Sequence, residues 1–240
     1  MKEAIILAGG FGTRLRDVIS DVPKPMSPVG GKPFLEFLLK QLSVFGFSRV
    51  ILSVSYRHEI ISKHFGSSFA NMQLEYCVED VPLGTGGAIA KALQQTSAND
   101  VLALNGDSIL LASLVHFYDF HNSQKTPISV ALKSETNFSR YGAVTLDDHK
   151  IICFDEKRPV AEGLFNAGLY LLNKSVKDRL LKLSTPFSIE KEIFEKHVFP
   201  LSGCVFHDYF IDIGVPEEYA RAQTELIPAH EQYIKRFAKP

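Results

Sequence analysis

Glu3-Ala4-Ile5-Ile6-Leu7-Ala8-Gly9-Gly10-Phe11-Gly12-Thr13-Arg14 opens the chain, and Lys24-Pro25 follows ten residues after Arg14. The apolar, β-branched run from Glu3 to Leu7 reads as a buried first strand. Three glycines then fall where that strand ends. Without Cβ atoms they let the backbone turn sharply and bring N–H groups against a bound phosphate or base. Arg14 adds a rigid fork of donors and Lys24 a mobile point charge, so the loop suits a polyphosphate. A dinucleotide fingerprint G-x-G-x-x-G begins at Gly10 but is not completed, because Leu15 stands where its last glycine belongs, and no G-K-[ST] follows to make a P-loop. Taken alone, the glycines are also compatible with an ordinary turn carrying two solvated cations.

Around this stretch the 240 residues are 45% hydrophobic, enough to bury a substantial core, and point to one domain rather than two. No internal repeat is present. A net charge of −1 gives no global field for nucleic acid or an anionic membrane, so any affinity for phosphate must be local. Cys77, Cys153 and Cys204 are odd in number and far apart, which argues against a disulfide framework or a metal site and for reduced, buried thiols. The chain enters its first strand without a basic leader, and no apolar run reaches about 18 residues. A cytoplasmic protein that neither spans nor sits on a membrane is expected.

Through the first half, strand-like runs alternate with helical patterns, the sign of βαβ units and a largely parallel sheet. Residues 33–42 have apolar side chains at helical spacing behind Pro33. The order continues as strand 50–55, helix 59–65, strand 72–78, helix 88–95, strand 101–105 and helix 113–121. Ligands in such folds lie beyond the carboxyl ends of the strands, where Gly9, Glu79 and Asp107 fall. After Thr126 the pattern changes to strands broken by short turns, at 128–133, 143–146, 151–154 and 169–172. Asp147-Asp148-His149-Lys150 reads as a hairpin turn at the lip of the cleft. Helical segments at 176–183 and 189–196, strands at 204–209 and 210–213, and a last helix from Pro216 complete the order, with Glu217 and Glu218 suited to that helix's first turn. Its later part, from Tyr219 to Phe237, is suited to packing on the body or on a second copy, which leaves a homodimer open.

Asp107, closing Leu104-Asn105-Gly106-Asp107, and Asp212, in Phe210-Ile211-Asp212-Ile213-Gly214, are isolated acids at strand ends. Magnesium bound to phosphates takes one or two carboxylates and completes its octahedron with phosphate oxygens and water, so the pair fits a metal role beside a phosphate loop. Each alone could be a cap or turn residue. Gly84-Thr85-Gly86-Gly87 is a second glycine turn opening a helix, with Thr85 as an N-cap the plain alternative. Histidines 58, 64, 116 and 121 lie in helical stretches as surface or capping groups and make no convincing triad with a serine.

The segment from Leu7 to Leu15, continued by Pro23-Lys24-Pro25-Met26, resembles the signature of the sugar-phosphate nucleotidyltransferases, which join a nucleoside monophosphate to a sugar 1-phosphate. The likeness runs from the first strand to about Tyr219, and this opening is its most specific part. It implies a Rossmann-like α/β fold: a mixed, mostly parallel central sheet with helices on both faces and a small β-rich sugar-binding lobe. Residues 1–125 would be the nucleotide-binding half, 126–215 the sugar-phosphate half and 216–240 a C-terminal helix.

By the same resemblance Leu7, Gly9, Gly10, Gly12, Thr13, Glu79, Gly84 and Thr85 bind the nucleotide. Gly142, Glu156, Lys157, Asn166 and Gly168 bind the sugar phosphate. Arg14, Lys24, Asp107 and Lys157 serve catalysis, and Asp107 and Asp212 hold Mg2+. Glu79 matches a position where relatives read the base edge. Guanine offers N1–H and N2–H2 together, two donors that one carboxylate accepts, which tilts the choice to GTP, although Glu79 could equally be a solvated loop acid. Within the family the likeness is strongest to members that use GTP with a heptose 1-phosphate, then with mannose 1-phosphate, and it implies a nucleotide-activated sugar for surface polysaccharide. A regulator that senses a nucleotide sugar without turning it over is the rival reading, disfavoured because all the charged positions are kept. Many members continue into a hexapeptide-repeat β-helix. This sequence stops soon after its last helix pattern, so regulation through such a domain is not expected.

Overall fold

In the computed structural model, residues 1–10 and 22–238 are described; Gly12, Thr13 and Arg14, and the side chains of Glu156 and Lys157, lie outside them. The chain runs β1 (Glu3–Leu7), a 3-10 turn at Lys24–Met26, a small hairpin β2 (Pro28–Val29) and β3 (Lys32–Pro33), then α1 (Phe34–Val44), β4 (Arg49–Val54), α2 (His58–Phe65), β5 (Ser68–Phe69), β6 (Met72–Val78), α3 (Gly84–Leu93) and β7 (Asp100–Asn105). It continues through β8 (Ser108–Leu110), α4 (Leu114–Gln124), β9 (Ile128–Phe138), β10 (Gly142–Asp147), β11 (Lys150–Lys157), β12 (Val160–Asn173), a short α5 (Lys177–Leu180), a π-helical segment at Glu190–Phe194, β13 (Leu201–Phe206), β14 (Phe210–Asp212) and α6 (Pro216–Phe237).

One sheet takes strands from both halves, in the order β10-β11-β13-β9-β12-β7-β1-β4-β6-β5. The block β7-β1-β4-β6 is parallel throughout, with Ile5 opposite Ile51 on one side and Ala103 on the other. Beyond β7 the expectation of a mostly parallel sheet fails. β12 runs antiparallel to both β7 and β9, β10 and β11 form an antiparallel hairpin, and only β13 returns parallel to β9. Short turns can reverse a strand but cannot carry a parallel crossover, so the loss of intervening helices after Thr126 has this consequence.

Side chains alternate between two cores, as the period of a strand requires. Ala4, Ile6, Val50 and Leu52 pack on one face with Leu38, Leu39 and Leu42 of α1, while Ile5, Ile51 and Ala103 pack on the other with Ile89 and Leu93 of α3. Helices therefore cover both faces. Burying a side chain such as Ile5 or Leu39, each fully inaccessible, contributes about 1.5–3 kcal/mol, so β1 between two covered faces is the sheet's anchor.

α1 starts at Phe34, one residue later than expected, with Pro33 as its extended N-cap. α6 carries Pro216 in its first turn and lies on the body, since Phe37 meets His230 edge-on at 5.1 Å and Tyr233 donates to the Ala112 carbonyl at 2.8 Å. The turn at Asp148-His149 is where it was expected, but not at the lip of a cleft. Lys150 pairs with Ser202 at the start of β13, which begins beside Ile128, and the His149 ring meets Phe120 at 5.3 Å. That is the opposite end of the sheet from Asp107. Cys77 and Cys204 are free and buried as expected, whereas Cys153 is exposed because it lies on β11, near the edge of the sheet. No helix among the described residues is long and apolar enough to cross a membrane.

Candidate active site

The carboxyl ends of β1, β4, β6 and β7 open into a cleft of about 300 Å3. Gly9 and Gly10 form its floor after β1, where Ala8 N–H still bonds the Ser53 carbonyl at 2.7 Å and the Ser55 hydroxyl donates to the Gly9 carbonyl. Among the described residues nothing stands within 4 Å of a Cβ placed on Gly10, so on that side its backbone faces the cleft. Gly106 is tightly constrained: its N–H bonds Leu7 O at 3.0 Å, and a Cβ there would meet that oxygen at 2.5 Å. This close crossing carries Asp107 over the end of β1.

Asp107 and Asp212 are brought together by the two-stranded ribbon of β8 and β14, in which Asp212 pairs with Ser108 and Ile213 N–H bonds Asp107 O at 2.9 Å. Lys24, set by the 3-10 turn, places Nζ 2.5 Å from Asp107 Oδ2. Asp212 Oδ1 accepts from Gly214 N–H at 2.7 Å, and its Oδ2 accepts from Tyr141 at 3.1 Å and Arg140 at 3.2 Å. Burial pushes the Asp212 carboxyl above the usual range, and the charge of Asp107 adds to this against the pull of Lys24 and Arg140. A buried carboxylate that carries its neighbour's negative charge in this way is a site for a further cation. Among the described residues no third carboxylate, histidine or cysteine joins them. This donor set fits Mg2+, which takes few protein ligands and leaves the rest of its shell to phosphate and water.

At the other end of the cleft Glu79 lies at the end of β6. Its Oε1 accepts from Ser53 at 2.9 Å and its Oε2 from Leu83 N–H at 3.2 Å, which fixes the carboxylate beside Gly9 and the Gly84 turn. Gly84 has φ +72°, and a Cβ there would stand 2.4 Å from the Phe187 carbonyl oxygen. That glycine is therefore required by packing as well as by any approach to a base. Thr85 is not an N-cap. Leu83 holds that place without a side-chain bond, and Thr85 Oγ1 donates to Glu190 at 2.8 Å while accepting from Ile189 N–H at 3.0 Å.

The strand that carries the expected sugar-side residue Gly142 starts beside Asp212. Gly142 pairs with Lys157 in register, and Tyr141, the residue before it, is the one bonded to Asp212. Asn166 and Gly168 approach from β12, with Gly168 (φ +73°) packed against Asn105, a cleft residue. The Asn166 amide already accepts from Gly168 N–H at 2.8 Å and donates to Tyr170 at 2.9 Å. Tyr170, fully buried, donates in turn to Glu190 at 3.2 Å, so a continuous chain of hydrogen bonds joins Asn166 to Thr85.

Sequence reasoning missed Ser53, Arg140, Tyr141, Tyr170 and Glu190. Arg140-Tyr141-Gly142 was read only through Gly142, so adjacency to that glycine was the available signal. His121 also departs from expectation. It is 4% exposed, its Nδ1 is 2.7 Å from Ser129 Oγ, and its Nε2 is 3.4 Å from Asp100. These are the contacts of a hydrolase triad, but Ser129 is fully buried and also bonded to Ser202, so no substrate reaches it.

A glycine floor, a lysine on one of two neighbouring acids and a fixed carboxylate at the far end define a nucleotide-handling α/β site, and the chain belongs to the nucleotidyl transferase family, whose family model matches residues 3–227. It is 42% identical over 226 residues to the D-glycero-alpha-D-manno-heptose 1-phosphate guanylyltransferase of Aneurinibacillus thermoaerophilus, covering 93% of this chain and 98% of that one. Identity is also 42%, over 223 residues, to the protein of the same name from Campylobacter jejuni, covering 90% and 96%. The crystal structure of HddC from Yersinia pseudotuberculosis complexed with GMP-PN matches with a TM-score of 0.82 and 34% identity, covering 94% of this chain and 100% of that one.

Proposed function

We propose that this protein is a sugar-1-phosphate guanylyltransferase that joins D-glycero-D-manno-heptose 1-phosphate to the GMP portion of GTP and releases pyrophosphate. The observation that carries the reading is a single cleft with Lys24 and Asp107 at one end and the Glu79 carboxylate, fixed by Ser53 and Leu83, at the other. A carboxylate in that position accepts both donors of the guanine Watson–Crick edge. The names of the heptose enzymes above support the sugar, and mannose 1-phosphate is the alternative.

The attacking group is an oxygen of the sugar's own phosphate. Its second pKa is about 6, so at neutral pH it is largely deprotonated and needs no general base. The barrier is repulsion between anions, and the protein lowers it by positioning and charge neutralisation. Gly9 and Gly10 seat the phosphates, Lys24 steadies the α-phosphate, and Arg14 holds the departing pyrophosphate. Lys157 neutralises the sugar phosphate, while Gly142, Glu156, Asn166 and Gly168 orient the sugar. Asp107 and Asp212 would hold Mg2+, which would supply positive charge against the crowded phosphates. The activated heptose would serve surface polysaccharide, capsule or lipopolysaccharide, and an enzyme that draws on nucleoside triphosphates would work in the cytoplasm.

The test offers purified protein each of the four common nucleoside triphosphates with heptose, mannose and glucose 1-phosphates and measures pyrophosphate release. GTP with the heptose phosphate is expected to dominate. Dominance of mannose 1-phosphate would replace the sugar, and dominance of another nucleotide would overturn the role of Glu79.

A further inference from the structure

We propose that Arg140 is a further phosphate-handling residue of this reaction, parked on Asp212 in the substrate-free protein and released toward the substrates' phosphates when a divalent cation takes that carboxylate. The inference rests on the guanylyltransferase reading above and adds a residue and a sequence of events to it.

Each of the two acids already has a cation at hydrogen-bond distance, Lys24 on Asp107 and Arg140 on Asp212. The four side chains make two neutral pairs side by side. A divalent ion held by both acids would compete with both pairs. At Asp212 the competition is direct, since Oδ1 is committed to Gly214 N–H and Oδ2 is the oxygen that Arg140 and Tyr141 share. Once a doubly charged ion balances the two carboxylates, two positive side chains are left over in the same small volume. The substrates bring several negative charges there.

Arg140 is built to stay close when it lets go. Its guanidinium lies over the Tyr141 ring at 5.4 Å from the centroid, and that ring is stacked on Phe165 at 4.2 Å with an interplanar angle of 13° and edge-on to Phe210 at 6.0 Å. An arginine head stacked on a packed aromatic has a short radius of movement. Glu218, in the first turn of α6, is its other partner at 3.8 Å, but that carboxylate is already engaged by Arg221 at 2.7 Å. The released guanidinium therefore gains most from phosphate, whose oxygens its planar fork matches two at a time. Arg140 also directly precedes Tyr141-Gly142, at the start of the strand that pairs with Lys157, so it sits on the sugar-phosphate side of the cleft.

This arrangement gives Arg140 opposite effects on metal and on turnover. Mn2+ alone is titrated into nucleotide-free wild type, Arg140→Gln and Arg140→Lys and followed by electron paramagnetic resonance; pyrophosphate release is measured on the same proteins, with circular dichroism confirming the fold. Arg140→Gln should bind Mn2+ more tightly, by up to about fivefold, the loss of one partly exposed competing ion pair. Its turnover should fall about tenfold or more. Arg140→Lys should return Mn2+ affinity to near wild type and recover turnover only in part, because the fork is lost. A merely structural role would weaken both properties together. Unchanged or weaker Mn2+ binding in Arg140→Gln, unchanged turnover, or absence of Mn2+ binding by every protein would overturn the proposal. Failure of wild type to use GTP would instead sink the guanylyltransferase reading and leave the Mn2+ competition measurable.

Discussion

At the scale of single residues, Glu79 shows how a fixed carboxylate differs from a solvated one. A free surface acid can turn away from a base, whereas Ser53 and the Leu83 N–H hold both oxygens of Glu79 from behind. Pre-ordering of this kind spares the ligand the cost of fixing the side chain. Glu79→Gln keeps the shape but turns one acceptor into a donor, toward either Leu83 or guanine. A bidentate pair to a base edge is worth about 1–3 kcal/mol of discrimination, so kcat/KM for GTP should fall roughly tenfold or more, with much less change for ATP or UTP. Competition assays with mixed nucleotides would read this directly, and a thermal melt of the variant separates it from lost stability. An unchanged GTP preference would remove Glu79 from base reading.

Elements, more than residues, decide which parts of this site could be read in advance. β1, β4, β6 and β7 were legible because each is an apolar run ended by a turn signal, and the site lies at their carboxyl ends. Strand direction after Thr126 was not, since a period of two is the same for parallel and antiparallel neighbours. β9 and β12 also reach well past their expected ends, into Lys133–Phe138 and Val160–Asn166 pairings where the faces are partly exposed and the apolar alternation is lost. Arg140 could not be found because its link to Asp212 spans 72 residues. Conversely, Gly84 was legible as a turn glycine but not for its packing reason. Gly84→Ala would force a left-handed backbone on a residue with a Cβ and press it on the Phe187 carbonyl, a combined cost of at least about 2 kcal/mol. Urea denaturation should show that loss, and Phe187→Ala should not relieve it, because the clash is with backbone.

Over the whole molecule, acid stability follows from where the imidazoles lie. His121 joins the Ser129–Ser202 cluster at the far end of the sheet, and His230 is wedged between α6 and α1 with its Nε2 3.0 Å from the Phe37 carbonyl oxygen. Burial lowers the proton affinity of both, against the partial attraction of Asp100 for His121 and of the Phe37 carbonyl for His230. The unfolded chain then binds more protons than the folded one as pH falls through the ordinary histidine value of about 6.5. Stability is therefore full above that pH and lost below it, by at most about 1.4 kcal/mol per pH unit for each imidazole. Asp212 acts in the opposite sense, because its raised proton affinity makes the fold gain stability as acid neutralises it, but only from the top of its own range downward. Urea midpoints should thus be flat from pH 8 to 7 and fall between pH 6.5 and 5. His230→Gln, which keeps a polar group against Phe37 without titrating, should reduce that slope, because one of the two buried proton sites is removed. A slope unchanged in His230→Gln would mean that the α1–α6 contact does not exclude protons, and the packing that closes this end of the molecule would then be looser than its geometry.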